Sequence, residues 1–186
     1  MSRVRPDWLR LTRIRLAAGG VVVVAVVLIV VFATAPNAAN LQAQTPLIGK
    51  VAPALSGKSY TTGGSVSVGG LRGRFVLVNF FASWCEPCAS EAPQLVGFAA
   101  ANRSNVTVLG VDIGEAPAVA ARFVTQHGGD YPVLDPSAIV LVQWGVRDPP
   151  TSFLIAPDGK MLTKIVGQVT AAGLDQVLSL ALAKGD

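Results

Sequence analysis

This 186-residue chain contains two cysteines, and they lie only three positions apart. Cys85 and Cys88 enclose the dipeptide Glu86-Pro87 in a C-x-x-C pattern. The pattern opens a predicted helix, with Pro87 in the first turn, where a missing N–H is tolerated. Two sulfurs at this spacing can close a small-ring disulfide or stand as a dithiol. The pattern therefore predicts thiol–disulfide chemistry.

The helix N-terminus gives the two sulfurs different roles. Its free N–H groups and the positive end of its dipole favour a thiolate at Cys85, which we expect to be the nucleophile. Cys88 lies one turn deeper and would resolve the mixed disulfide by displacing the partner. A purely structural bridge is the weaker interpretation, because closing so small a loop constrains little of the unfolded chain.

The elements around the dithiol alternate between strand and helix. A nearly continuous apolar run predicts a strand covered on both faces at residues 75–81, followed by a helix at 86–102. The succession implies a parallel sheet with helices on its faces, and a hairpin around Pro157-Asp158-Gly159 adds an antiparallel pair. The other predicted elements are strands at 106–111, 152–156 and 161–166, helices at 116–126, 136–144 and 171–183 (N-cap Thr170), and a short strand and turn within 60–72. The sequence thus predicts an α/β domain with a mixed central sheet.

The N-terminal part carries an apolar segment typical of a membrane span. Residues 16–35 contain no charge, and as a helix rising about 1.5 Å per residue they would extend roughly 30 Å. Residues 1–15 hold five Arg against one Asp, which predicts a cytoplasmic N-terminus and an extracytoplasmic domain. The predicted organisation is a basic start (1–15), a signal-anchor (16–35), a linker (36–46) and one domain (47–186). A cleaved signal peptide is the alternative, although the apolar stretch exceeds a usual signal core.

The charge distribution excludes a basic nucleic-acid-binding surface. The net charge of +4 resides entirely in residues 1–15, and the remaining ten Lys and Arg balance ten Asp and Glu. Two Cys and one His are too few soft ligands for a closed Cys/His zinc site. We therefore expect no nucleic-acid partner, no resident metal and no cofactor.

Residues 78–88, VNFFASWCEPC, resemble the active-site stretch of the thioredoxin-like proteins of the TlpA/ResA/CcmG (DsbE) group. Residues 49–53, 110–112 and 148–155 also match, and the similarity covers about residues 47–184. The resemblance implies a thioredoxin-like fold and a membrane-tethered, outward-facing thiol-disulfide oxidoreductase. It also implies protein disulfide substrates, among them apocytochrome c cysteines in cytochrome c maturation, and a membrane electron donor of the thiol-reducing type.

The resemblance adds residues to the predicted site. Glu91 lies three residues after Cys88 on the same helix face, where ResA-like proteins place a glutamate beside the dithiol, so it could exchange a proton with Cys88. Asn79 stands where thioredoxin carries a buried Asp; an amide cannot titrate, which favours Glu91 for this role. The alternative is a glutamate that only complements the helix dipole. Glu86, expected to be exposed, and Pro87 are assigned to tuning.

Substrate binding is predicted at the loop before the hairpin. Pro150 matches the family's cis-proline, which faces the disulfide and presents backbone to a substrate strand; the alternative is a stiff loop with trans bonds. Pro149 has no N–H to donate, so one of the two backbone bonds to a bound peptide should be absent. Thr151 and Trp84 are further candidates for substrate binding. Trp84 could shield the disulfide or could simply be packed.

Other functions stay open on the sequence alone. The pair could donate its disulfide to secreted proteins instead of reducing them, although the Glu-Pro dipeptide resembles the reductive members. A peroxiredoxin requires Thr or Ser three residues before the reactive cysteine, and that position is Ala82. A non-catalytic thioredoxin-like module could deliver Cu(I) through two thiolates, but no Met or His lies close by in sequence.

Overall fold

The computed structural model describes residues 46–184. The predicted membrane span at 16–35 lies outside these residues. Within them, no helix has the length and apolar character needed to cross a membrane. The strands are β1 (Ser56–Lys58), β2 (Ser65–Ser67), β3 (Phe75–Phe81), β4 (Val106–Asp112), β5 (Val133–Leu134), β6 (Thr151–Ile155) and β7 (Met161–Val166). The helices are α1 (Glu86–Ala101), α2 (Pro117–Gln126), α3 (Ala138–Trp144) and α4 (Ala171–Lys184), with a turn of 3-10 helix at Val68–Leu71.

Five strands form a mixed sheet in the order β5-β4-β3-β6-β7. Strands β3, β4 and β5 are parallel neighbours, whereas β6 pairs antiparallel with both β3 and β7. Strands β1 and β2 form a separate antiparallel pair. The α/β class and the mixed sheet predicted from the sequence are therefore confirmed.

Strand β3 lies at the centre of the sheet, and its residues alternate between two apolar clusters. Phe75, Leu77 and Phe81 belong to the cluster that includes α1, α2 and α4. The intervening Val76, Val78 and Phe80 belong to the cluster on the other face, which includes Trp144 of α3 and Phe153 of β6. Because side chains of a strand alternate between faces, Asn79 points toward the face covered by α1. This places a polar group beneath the helix that carries the cysteines.

The element boundaries agree closely with the prediction, apart from small shifts. The helix predicted at 136–144 begins only at Ala138, and the hairpin strand predicted at 152–156 is Thr151–Ile155, with Ala156 in the turn. Val68 is not part of the strand within 60–72, because Ser67 caps the 3-10 helix by accepting the N–H of Gly70. Strands β1 and β5 were not predicted. The predicted N-cap Thr170 is confirmed, since its hydroxyl accepts the N–H of Gly173 at 3.1 Å.

Two glycines provide a matched test of this packing. A methyl group at Gly110 of β4 would lie 3.2 Å from Phe81, Tyr131 and Val133, whereas one at Gly97 of α1 would meet nothing within 4 Å. We expect Gly110→Ala to lower the free energy of unfolding by about 1–3 kcal/mol through overpacking. Gly97→Ala should raise it by about 1 kcal/mol, because alanine favours the helix. Urea unfolding of both variants checks this, and a fully stable Gly110→Ala would contradict the tight packing of the sheet.

Candidate active site

The candidate site forms where β3 and β4 end. These parallel strands are in register up to Phe81 and Asp112, so the turn leading to Cys85 leaves the sheet at their carboxyl ends. Strand β6 runs the opposite way and begins at Thr151, which pairs with Phe80. Pro150 therefore lies at the same edge as the cysteines, although more than sixty residues separate them in sequence.

The two cysteines form a disulfide at the start of α1. The S–S distance is 2.04 Å and the Cα atoms are 5.2 Å apart. Cys85 is the N-cap residue, and its Sγ accepts the N–H of Cys88 at 3.2 Å. Cys85 is 5% exposed and Cys88 1%. When the bond is reduced, the same N–H groups and the helix dipole would stabilise negative charge on Cys85, the more accessible sulfur.

Glu91 is a fully buried carboxyl group on α1, one turn beyond Cys88. Its Oε1 accepts the amide N–H of Asn79 at 2.8 Å, and its Oε2 accepts the backbone N–H of Val169 at 2.9 Å. Burial raises the pKa of Glu91 to about 6, although both hydrogen bonds oppose the shift. A carboxyl group with this pKa can exchange a proton near neutral pH. Because Glu91 is completely buried, it is not a surface glutamate; its role in proton exchange remains a prediction.

A buried polar network extends from Glu91 to the neighbouring strand. The Asn79 amide also donates to Ser152 Oγ of β6 at 3.0 Å, and both side chains are buried. The carbonyl oxygen of Pro150, just before β6, accepts the N–H of Gly167 at 2.8 Å. Gly167 and Val169 belong to the same β7–α4 loop, so this loop contacts both Glu91 and the proline loop.

The Pro149–Pro150 peptide bond is cis, as the resemblance implies. Pro150 is buried and Pro149 half-buried. Thr151 is 1% exposed, and its hydroxyl donates to the carbonyl of Asp148 at 2.8 Å. Its predicted role in substrate binding remains a prediction.

The residues that flank the cysteines lie at the surface. Trp84 is 67% exposed, which excludes the alternative that it is a packed aromatic; its role in substrate binding remains a prediction. Its large apolar side chain stands next to Cys85, where a substrate could contact it. Glu86 is exposed, as expected, and Pro87, also exposed, occupies the first turn of α1. The tuning role assigned to these two residues remains a prediction.

Several partners of the site were not predicted from the sequence. Ser152 and the N–H of Val169 gave no local signal, because they reach Asn79 and Glu91 only in the folded protein. Glu115, whose carboxylate contacts Ser83 in the turn before Cys85, was not predicted either. Glu115 follows β4 by three residues, and an acidic residue just after a strand that ends beside the cysteines could have drawn attention to it.

No group of three or more His, Cys, Asp or Glu side chains is placed to hold a metal ion among the described residues 46–184. The candidate site is thus composed of the disulfide, a buried carboxyl group and a proline loop. These groups can exchange a disulfide and move a proton.

Comparison with known proteins gives consistent matches to thiol–disulfide proteins. A model of the Redoxin family matches residues 47–178. The chain is 31% identical to the thiol-disulfide oxidoreductase ResA of Bacillus subtilis over 122 residues, 64% of this chain and 68% of ResA. It is 35% identical to the thiol:disulfide interchange protein HelX of Rhodobacter capsulatus over 129 residues, 68% of this chain and 72% of HelX. The crystal structure of a thioredoxin family thiol:disulfide interchange protein from Chlorobium tepidum superposes with a TM-score of 0.66 and 29% identity, covering 75% of this chain and 99% of that one.

The buried state of Glu91 predicts a specific pH dependence of stability. Its pKa is raised from 4.5 to about 6 in the folded protein, so folding favours the protonated form. Well below pH 4.5 the group is protonated in both states, and as the pH rises through the two pKa values the unfolded chain ionises first. Relative to Glu91→Gln, the oxidised wild-type protein should therefore lose about 2 kcal/mol of stability between about pH 4 and pH 7.

Urea unfolding of the oxidised full chain at a series of pH values measures this difference. Glu91→Gln also loses a hydrogen bond to Asn79 or Val169, but that loss shifts the whole curve and leaves its pH dependence unchanged. Glu86→Gln, an exposed glutamate at the start of the same helix, is the matched control. A constant difference between wild type and Glu91→Gln from pH 4 to 7 would show that the Glu91 carboxyl group has an ordinary pKa.

Proposed function

The chain belongs to the Redoxin family, and from that membership we propose that its cysteine pair reduces disulfide bonds of protein substrates outside the cytoplasm. It is a thiol-disulfide oxidoreductase, as its named relatives are. The observation that carries the proposal is the position of Cys85, which caps α1 while Glu91 is buried one turn beyond Cys88. A bridge that served only stability would need no titratable group behind it.

The reduced pair can transfer two electrons in two exchange steps. In the first, the Cys85 thiolate attacks one sulfur of a substrate disulfide, so a Cys85–substrate bond forms, the substrate bond breaks and one substrate thiolate leaves. In the second, the Cys88 thiolate attacks Cys85, so the ring disulfide forms and the second substrate sulfur leaves as a thiolate. The pair loses two electrons and the substrate gains them; the proton of Cys88 passes to Glu91, and the two substrate thiolates take up protons from water.

Glu91 provides the proton acceptor for the second step. The Cys88 thiol must lose its proton before it can attack, and the ionised Glu91 carboxylate lies on the same face of α1. Asn79 and Val169 donate to its two oxygens, which keeps the buried carboxylate hydrogen-bonded when it is charged. The proton leaves again when Glu91 ionises after the exchange.

The surface around Cys85 suits an extended polypeptide. The exposed Trp84, next to Cys85 in sequence, offers an apolar contact, and the proline loop at the same end of β3 offers backbone. Because Pro149 has no N–H, only its carbonyl oxygen can bond to a substrate strand. We therefore propose that side-chain contacts, including those of Trp84, supply a larger share of substrate recognition than backbone pairing does.

Reduction outside the cytoplasm requires a source of electrons. An oxidising compartment keeps such a pair in the disulfide form unless a partner reduces it. We propose a membrane electron donor of the thiol-reducing type as that partner. Apocytochrome c cysteines are the candidate substrate that the resemblance to the TlpA/ResA/CcmG group suggests.

The proposed location rests on the N-terminal sequence. Residues 16–35 are uncharged and long enough to span a bilayer, and the five arginines of residues 1–15 favour the cytoplasmic side. We expect the full chain to fractionate with membranes, and protease added to spheroplasts to digest the domain at residues 47–186. A cytoplasmic marker protein controls for intact cells. A domain that is protected from the protease would contradict the proposed orientation.

The exchange mechanism predicts different behaviour for the two cysteines. Pre-reduced Cys88→Ser should accumulate a mixed disulfide with a disulfide-bonded protein substrate, because nothing displaces the substrate from Cys85. Cys85→Ser should accumulate at least tenfold less, because the buried Cys88 cannot make the first attack. Non-reducing gel electrophoresis with mass spectrometry of the adduct measures both.

The reduction potential of the cysteine pair determines the direction in which electrons are transferred. We expect a reduction potential close to that of thioredoxin, about −270 mV, when the full chain is equilibrated with dithiothreitol. A potential near −120 mV would overturn the reductive role and indicate a disulfide donor. Equal adducts from the two cysteine variants would overturn the order of attack.

A further inference from the structure

A second carboxylate, Glu115, holds the turn that carries Cys85. The backbone N–H of Ser83 donates to Glu115 Oε2 at 2.6 Å, and the Ser83 hydroxyl donates to Glu115 Oε1. One side chain thus binds both donors of a single residue, two positions before the reactive cysteine. Hydrogen bonds to a charged acceptor are about twice as strong as neutral ones, so this contact restrains Ser83 firmly.

Glu115 is itself fixed to the central sheet. Its backbone N–H donates to Oδ2 of Asp112, the fully buried last residue of β4, at 3.0 Å. Gly114 has a φ of 76°, which turns the chain back and allows this contact across three residues. The N–H of Ile113 also donates to the carbonyl of Phe81 at 2.9 Å, so the parallel pairing of β3 and β4 continues into the loop. The carboxylate therefore projects from an anchored loop.

The restraint on Ser83 is transmitted to Cys85 through a single turn. The N–H of Cys85 donates to the carbonyl of Ala82 at 3.2 Å, which leaves Ser83 and Trp84 as the two middle residues of the turn. Trp84 is 67% exposed, so burial of its side chain does not anchor the turn. The turn is anchored by Ser83, which is half-buried and bound by Glu115. The direction in which Cys85 enters α1 depends on this residue.

We propose that Glu115 is a positioning residue for thiol–disulfide exchange, which orients Cys85 for attack by holding the 82–85 turn through Ser83. The inference rests on the proposed function, in which the Cys85 thiolate makes the first attack. That attack requires the thiolate to approach the disulfide along the sulfur–sulfur axis, and small errors of orientation are costly in such reactions. Glu115 contacts neither sulfur and acts only through the turn.

The test measures the reactivity of Cys85 alone. All variants are made in the full chain with Cys88→Ser and are reacted with glutathione disulfide at a pH where the thiol is fully ionised, so that the thiolate fraction does not enter the rate. Glu115→Gln should lower the rate constant roughly tenfold, because the amide can accept only one of the two Ser83 donors. Ser83→Ala should lower it about threefold, since it retains the backbone bond.

Three comparisons separate positioning from a general effect. Ser83→Thr keeps both donors and should retain the wild-type rate, and the Ser83→Ala/Glu115→Gln double variant should react no more slowly than Glu115→Gln alone. Asp130→Asn makes the same change of charge at an exposed residue and should leave the rate unchanged. Asp130 lines the same cavity as Arg74 and Val106, which lie where the parallel strands begin. Thermal unfolding verifies that each variant is folded.

Several results would overturn the proposal. They are an unchanged rate in Glu115→Gln, an equal loss in Asp130→Asn, a loss in Ser83→Thr as large as in Ser83→Ala, or fully multiplicative effects in the double variant. If Glu115→Gln does not fold, the comparison of Ser83→Ala with Ser83→Thr decides alone. Glutathione disulfide reports the reactivity of Cys85 whatever the natural substrate is, so failure of the proposed function on protein disulfides would be seen separately.

Discussion

The geometry of the site depends on the hydrogen bonds that the buried carboxyl group of Glu91 accepts. Its two oxygens accept hydrogen bonds from Asn79 on β3 and from Val169 before α4, and Asn79 also donates to Ser152 on β6. A helix, two strands and a loop are thereby held by one hydrogen-bond network within a mostly apolar interior. Such a network stabilises one arrangement only when every member is satisfied, because an unpaired polar group in the interior is expensive.

The sheet brings together at one edge groups that are distant in sequence. The parallel pair β3 and β4 ends beside the dithiol, and the antiparallel β6 begins there, so its preceding proline loop arrives from the opposite direction. The two carboxylates then serve different purposes. Glu91 is deep, hydrogen-bonded to the interior and able to take up a proton, whereas Glu115 is nearer the surface and orients the turn. Along the chain, the disulfide is therefore preceded by Ser83, which Glu115 binds, and followed by Glu91, which Asn79 and Val169 bind.

The sequence predicted best those elements whose own residues form a recognisable pattern. Strand β3 was predicted with its observed boundaries because its seven residues are covered on both faces and, apart from Asn79, are all apolar. Strand β5 has two residues and β1 reads Ser-Gly-Lys, so neither carries a periodic signal; β5 is defined by its pairing with β4, and β1 by its pairing with β2. The cysteines and Glu91 were identified from spacing and resemblance. The donors to Glu91 and the Ser83–Glu115 contact were not, because they depend on the register between strands.

The order of the strands also determines how the sheet meets other molecules. One edge strand, β5, is only two residues long. The start of the other edge strand, β7, is covered by residues 49–50, because the N–H of Gly49 donates to the carbonyl of Met161 and the N–H of Met161 donates to the carbonyl of Lys50. Farther along β7, Lys164 donates to the carbonyl of Gly145. Short, covered or lysine-bearing edges resist pairing with foreign strands. The proposed protein substrates can therefore bind at the redox site with little risk that they extend the sheet into an aggregate.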